Sequence, residues 1–348
     1  MSEFILKTGL NYCYDFKGNK ISCLDSGQDA EYSTGPEIPQ PRFISAGKGL
    51  VQDKYTQLVW CKESDVSIFP LTWQESLRLI SALNEEKFLE RSDWRMPNRR
   101  ELRSLIDHQQ RMPALPSENP FSGIQESWYW TGTSSAQFPD YAWYIHLAGG
   151  RMFWGRKDQQ AFCRPVCNAS NRILATGQST CLDNDGRVTE CQGIYTLADG
   201  AEPAGWKGRF VQNDMGIEDR LTGLLWHSNP FWSGREVKWQ DALDLIRKLN
   251  HSGAGNWRLP NINELESIVD CSRHTPALSL AFPSEKVREV YWSSSTSGFE
   301  TDWAYALYMY KGAVGVGHKS AAEYAVWPVT DMRNTGWRID LFSDISCF

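Results

Sequence analysis

The segment 93–107, DWRMPNRRELRSLID, recurs at 256–270 as NWRLPNINELESIVD. Arg95, Pro97, Asn98 and Glu101 are answered by Arg258, Pro260, Asn261 and Glu264 at a constant offset of 163 residues. The repetition continues in order along the chain. ILKTG (5–9) matches ILATG (173–177) at an offset of 168; YTQLVW and LTGLLW, ending at Trp60 and Trp226, match at 166; YWTGTSS and YWSSSTS match at 162. Offsets that drift by so little are short loop insertions, so one folded unit is written twice. A length of 348 residues agrees with two domains. The expected division is 1–169, with a cysteine hairpin at about 5–45, then 170–332, with its hairpin at about 173–205, and a tail at 333–348.

Local structure can be read on both copies at once. Trp73, Leu77, Ile80 and Leu83, like Trp239, Leu243, Ile246 and Leu249, fall at helical spacing, and Thr72 is placed to cap the first of these helices. Asn98 and Asn261 each precede a Glu by three residues, which resembles a capping box and predicts a second helix. From Trp128 the period changes to two, with Trp143, Ile145 and Leu147 on one face and Tyr144 and His146 on the other, and a Gly149–Gly150 turn follows. The expected class is α+β: two helices on a small antiparallel sheet in each copy, preceded by a hairpin.

Charge narrows the functions. Lys plus Arg total 36 against 42 for Asp plus Glu, a net charge of −6, so nothing draws the whole chain onto nucleic acid or an anionic membrane. No apolar run approaches the roughly 20 residues of a membrane span. Cys13 and Cys23, and Cys181 and Cys191, are each ten residues apart around a Gly-containing turn, which predicts two hairpin disulfides. Disulfides place the chain in the periplasm, at the cell surface or outside the cell; the opening MSEFILKTGL carries no signal-peptide apolar stretch. For the remaining cysteines the economical expectation is Cys61 with Cys163 or Cys167, and Cys271 with Cys347, one sulfur being left over.

The order of these motifs, from a paired-Cys hairpin through TGL.W, a Trp-led helix, WRLPN..EL.S and YWSSS to aromatic strands ending in PV, resembles the bacterial Lcl C-terminal domain family. The resemblance implies two tandem C-type-lectin-like units and a secreted or surface protein, since the family's named member is an adhesin that binds sulfated glycans. The first copy departs from the motif at Gln57 and in YWTGT. Met96-Pro97-Asn98 and Leu259-Pro260-Asn261 stand where sugar-binding C-type lectins carry their calcium triplet, so calcium-dependent binding is not implied.

What both copies share reads as scaffold: Arg95 and Arg258 are expected to pair with Glu101 and Glu264, and Trp94 and Trp257 to be core. The Asp-rich CLDNDGRVTEC reads as turn chemistry, since its spacing misses the EF-hand pattern, and no metal or cofactor is expected. Where the copies differ, function is sought. Arg99 and Arg103 lie four apart on one helix face, candidates for an anion. Tyr144, His146, Arg151, Phe153 and Arg156 in one copy, and Tyr308, Tyr310, His318 and Lys319 in the other, are the candidate ligand face. The favoured reading is a non-catalytic recognition or adhesion module for a glycan or surface protein. The rivals are an enzyme related to the formylglycine-generating type, which needs a reactive Cys pair such as Cys163 and Cys167, and a structural part of a surface appendage.

Overall fold

The computed structural model describes residues 4–332 apart from 65, 203–204, 206 and 254. In the first copy β1 (Cys13–Tyr14) and β2 (Lys20–Ile21) form the hairpin, followed by α1 (Asp29–Tyr32). The strands β3 (Phe43–Gly47), β4 (Leu50–Asp53) and β5 (Val59–Cys61) come next, then helices α2 (Trp73–Glu85) and α3 (Arg99–Arg103). β6 (Trp128–Ser134), β7 (Tyr141–His146), β8 (Met152–Arg156) and β9 (Val166–Cys167) complete it. The second copy repeats the plan with β10 (Phe210–Gln212), β11 (Gly216–Asp219), β12 (Leu224–His227), α4 (Trp239–His251) and α5 (Ile262–Ser267). It ends with β13 (Val290–Thr296), β14 (Trp303–Tyr308), β15 (Ala313–His318) and β16 (Val329–Asp331). The fold is mixed α and β, with few helices and antiparallel sheets.

The shared motifs are the scaffold. Asn98 and Asn261 cap α3 and α5 in full capping boxes with Glu101 and Glu264, and Thr72 caps α2 in the same way. The same two glutamates each take a bidentate pair from Arg95 and Arg258. Trp94 and Trp257 are buried, and the backbone of each is held at both N–H and C=O by an Asn in the last turn of α2 or α4, Asn84 or Asn250. Indole N–H groups of Trp73 and Trp239 donate to Thr131 and Ser293 carbonyls, fixing α2 and α4 on their sheets.

The two copies do not fold side by side. β8 and β15 pair through Met152 and Val314, equivalent residues at an offset of 162, and thereby fuse two three-stranded sheets into one of six, in the order β13-β14-β15-β8-β7-β6. Equivalent residues facing each other mark an internal two-fold axis between these strands. Beneath them one core joins the copies, with Leu102, Leu105, Ile145 and Met152 from the first and Leu265, Ile268, Leu307 and Val314 from the second.

Each cysteine hairpin, expected to serve its own unit, packs on the other. Cys13–Cys23 and Cys181–Cys191 are disulfide-bonded. The ammonium of Lys319 donates to the Tyr14 and Asp15 carbonyls of the first hairpin, and Lys157, its counterpart, donates to Asp183 of the second. Behind them Trp239 and Trp73 lie 4.1 and 4.4 Å from the two ammonium groups. Asp29 of the first copy accepts from Ser295 of the second, while Asp199 of the second accepts from Thr133 of the first and from Thr176. The hydroxyls of the YWTGT and YWSSS motifs thus receive the other copy's carboxylate. The expected bridge from Cys61 is absent, because Cys163 and Cys167 are free buried thiols; Cys347, with the tail, lies outside the described residues.

Burial raises the Asp29 and Asp199 carboxyls from 3.8 to about 6. A raised acid stabilises the fold fully below about pH 4 and loses that contribution as pH climbs through about 6, on the order of 3 kcal/mol for each group. The double variant Asp29→Asn/Asp199→Asn is therefore expected to gain stability relative to wild type between pH 4 and 7. Denaturant unfolding at half-unit steps measures it, and parallel curves for the two proteins would refute the buried, penalised carboxylates.

Candidate functional site

The six-stranded sheet has one face turned to the joint core. The other is flanked by α2 on the first copy's strands and α4 on the second's, with Trp73, Leu77 and Ile80 clustered around Trp130, and Trp239, Leu243 and Ile246 around Trp292. Strand register lays a row across the open middle of this face: Trp130, Tyr144, Phe153, then Ala313, Tyr308 and Val290. The two-fold generates a second row, Trp128, His146, Arg151, Gly315, Ala306 and Trp292. Tyr308 is therefore the counterpart of His146, and Ala306 that of Tyr144.

Tyr144 and Tyr308 lie flat because of glycines. A Cβ on Gly155 would stand 2.3 Å from the Tyr144 ring, and one on Gly315 would stand 2.7 Å from the Tyr308 ring. Trp128 packs on Tyr144 at 4.1 Å and on His146 at 4.8 Å, so these rings are half-buried and mutually fixed. Phe153 is 40% exposed, with the Lys311 ammonium of the second copy 5.7 Å from its ring. Arg151 is exposed, and Arg156 is exposed in a pair with Asp158. Burial depresses the His146 imidazole and lifts the Tyr144 phenol, so both rings are neutral near pH 7. Trp128 belongs to this shelf although the sequence offered it only as a strand start.

Other candidates fall elsewhere. Lys319 is fully buried, its charge spent on the exchanged hairpin, and is no ligand contact. Tyr310 lies in the turn after β14, its carbonyl bonded to Thr275, off the two rows. His318 stands at the far end of β15, Nε2 3.3 Å from Asp302. Arg99 and Arg103 are not a solvated face: both are buried, because α3 packs against α5 across the two-fold. Glu266 there receives Arg100 at 3.1 Å and Arg99 at 3.2 Å, while Arg103 donates to Asn263. Arg103 and Glu266 are counterparts, as are Arg100 and Asn263, so the contacts are reciprocal in position and complementary in charge. That substitution pattern was the signal available in the sequence.

Catalytic chemistry finds little to start from. Burial pushes the Cys163 and Cys167 thiols up to about 12, opposite to an activated nucleophile. Ser293 donates to the Tyr305 carbonyl and Ser295 to Asp29. Asp15 and Asp183 accept backbone N–H groups of their own turns. Among the described residues no three His, Cys, Asp or Glu side chains converge as metal ligands, and no helix there is long and apolar enough to cross a membrane.

Removing the Glu266 charge leaves two buried guanidiniums without their carboxylate. Glu266→Gln is expected to cost about 3–5 kcal/mol in denaturant unfolding; a loss below about 1 kcal/mol, the value of an exposed pair, would show that the joint does not rest on it.

No curated protein matches the chain. The family model of the Lcl C-terminal domain matches residues 49–167 and again 216–330. Those spans hold the Trp-led helices, the capped corners and the fused sheet, while the exchanged hairpins lie outside them. The chain belongs to the Lcl C-terminal domain family and carries that domain twice.

Proposed function

We propose that the protein is a non-catalytic recognition module which binds a glycan on the open face of the six-stranded sheet, across the internal two-fold. The observation that carries this reading is the shelf of rings held flat over glycine. Tyr144, Tyr308 and exposed Phe153 offer ring faces to the apolar C–H face of a sugar, while Arg151 and His146 stand in the adjacent row. The rings are braced by Trp128 and Tyr324, so they lose little freedom on binding. Each copy is on this reading a C-type-lectin-like unit that works without calcium. Two hairpin disulfides fit a periplasmic, surface or secreted location.

Glycan-array binding with and without a chelator is the direct test. Phe153→Ala and Tyr308→Ala are expected to weaken the best glycan at least tenfold together, with unfolding shifted by less than about 1 kcal/mol for exposed Phe153. For an anionic glycan, Arg151→Gln lowers affinity and flattens its decline with salt. Unchanged binding in the double variant moves the site off the shelf.

A further inference from the structure

A small cavity of about 50 Å³ opens on the two-fold axis, between α3 and α5 and the segments before each copy. Its wall carries Lys7, Arg100, Arg103 and Arg172 against one carboxylate, Glu266. That carboxylate is already committed to Arg99 and Arg100. Lys7 reaches outward to the exposed Glu37, and Arg172 makes no ion pair among the described residues. Inside, the balance is worse. Arg103 is buried, and its hydrogen-bond partners are neutral, Asn263 and His108, the latter held neutral by burial and by Arg103 itself. Its Nε is buried without an acceptor. Two buried guanidiniums, Arg100 and Arg103, over the one carboxylate of the wall are a charge excess that a folded interior does not hold uncompensated.

We propose that this cavity binds a small inorganic anion of halide size, chloride, which completes the joint between the copies. Its volume suits a monatomic ion with a water or two, at about 10–15 Å³ for each water. The two-fold position explains why the cavity exists at all: the equivalent side chains there, Arg103 and Glu266, differ, and cations outnumber acids on the side where α3 meets the axis. An anion bound to the folded state alone raises stability by mass action.

The test uses the whole protein. Thermal unfolding in sodium chloride is compared with sodium gluconate at matched, high ionic strength, so that screening is equal. The midpoint is expected to be higher in chloride by a few degrees, with saturating concentration dependence, and crystals grown in bromide are expected to show an anomalous peak in the cavity. Arg172→Gln, a half-exposed site outside the core, is expected to move half-saturation severalfold higher. Equal midpoints in the two salts, or a chloride response that Arg172→Gln leaves unchanged, as a general salt effect would, overturns the site.

Discussion

Glu266 meets two guanidiniums, and neither belongs to its own copy of the domain. Burying three charges together costs several kcal/mol per ion unless geometry recovers it, and Arg100 recovers it by also donating to the carbonyls of Glu266, Ser267 and Val269 at the end of α5. These contacts set the distance and angle between α3 and α5. Only in that setting do β8 and β15 come edge to edge, where a single registered pair suffices to make one sheet. The open face exists because of that joint.

The exchanged hairpins close the assembly a second way. The strand hydroxyls Thr133 and Ser295 take a carboxylate from the other copy's leading segment, and Lys157 and Lys319 each take carbonyls from it, Lys319 adding Thr301 of its own copy. Neither half is satisfied alone, since Thr133 and Lys157, or Ser295, would lose these partners in a core. The joint is thus reciprocal, and unfolding one copy strips partners from the other.

What could be read from the sequence was whatever is local or repeated. The capping boxes, the Arg95–Glu101 and Arg258–Glu264 pairs, the buried Trp94 and Trp257 and both disulfides depend on neighbours within about ten residues or on the same fold read twice. The candidate site was half legible. Alternation put Tyr144, His146 and Phe153 on one face, but it assigns a face without saying what covers it, and so Lys319 was counted as a contact. The burial of Arg99 and Arg103 was not legible for the same reason: a charged helix stripe does not show that its complement, Glu266, sits on the equivalent helix of the other copy. The hairpin exchange left no periodic signal, because cysteine spacing fixes a hairpin and not its neighbour.

The same two-fold that builds the face also exposes how far its halves have diverged. Across the axis Tyr144 is answered by Ala306, His146 by Tyr308, Arg151 by Ala313 and Phe153 by Gly315. Under the fused sheet the counterpart pairs remain bulky and apolar, Ile145 with Leu307 and Met152 with Val314, because any change there alters packing on both sides of the joint. The open face is free of that constraint. Large rings on the first copy beside alanine and glycine on the second give a step across the middle of the sheet, with the cations Arg151 and Lys311 at its edge. The face is therefore asymmetric across the two-fold, with Tyr144 and Phe153 on the first copy and Tyr308 on the second.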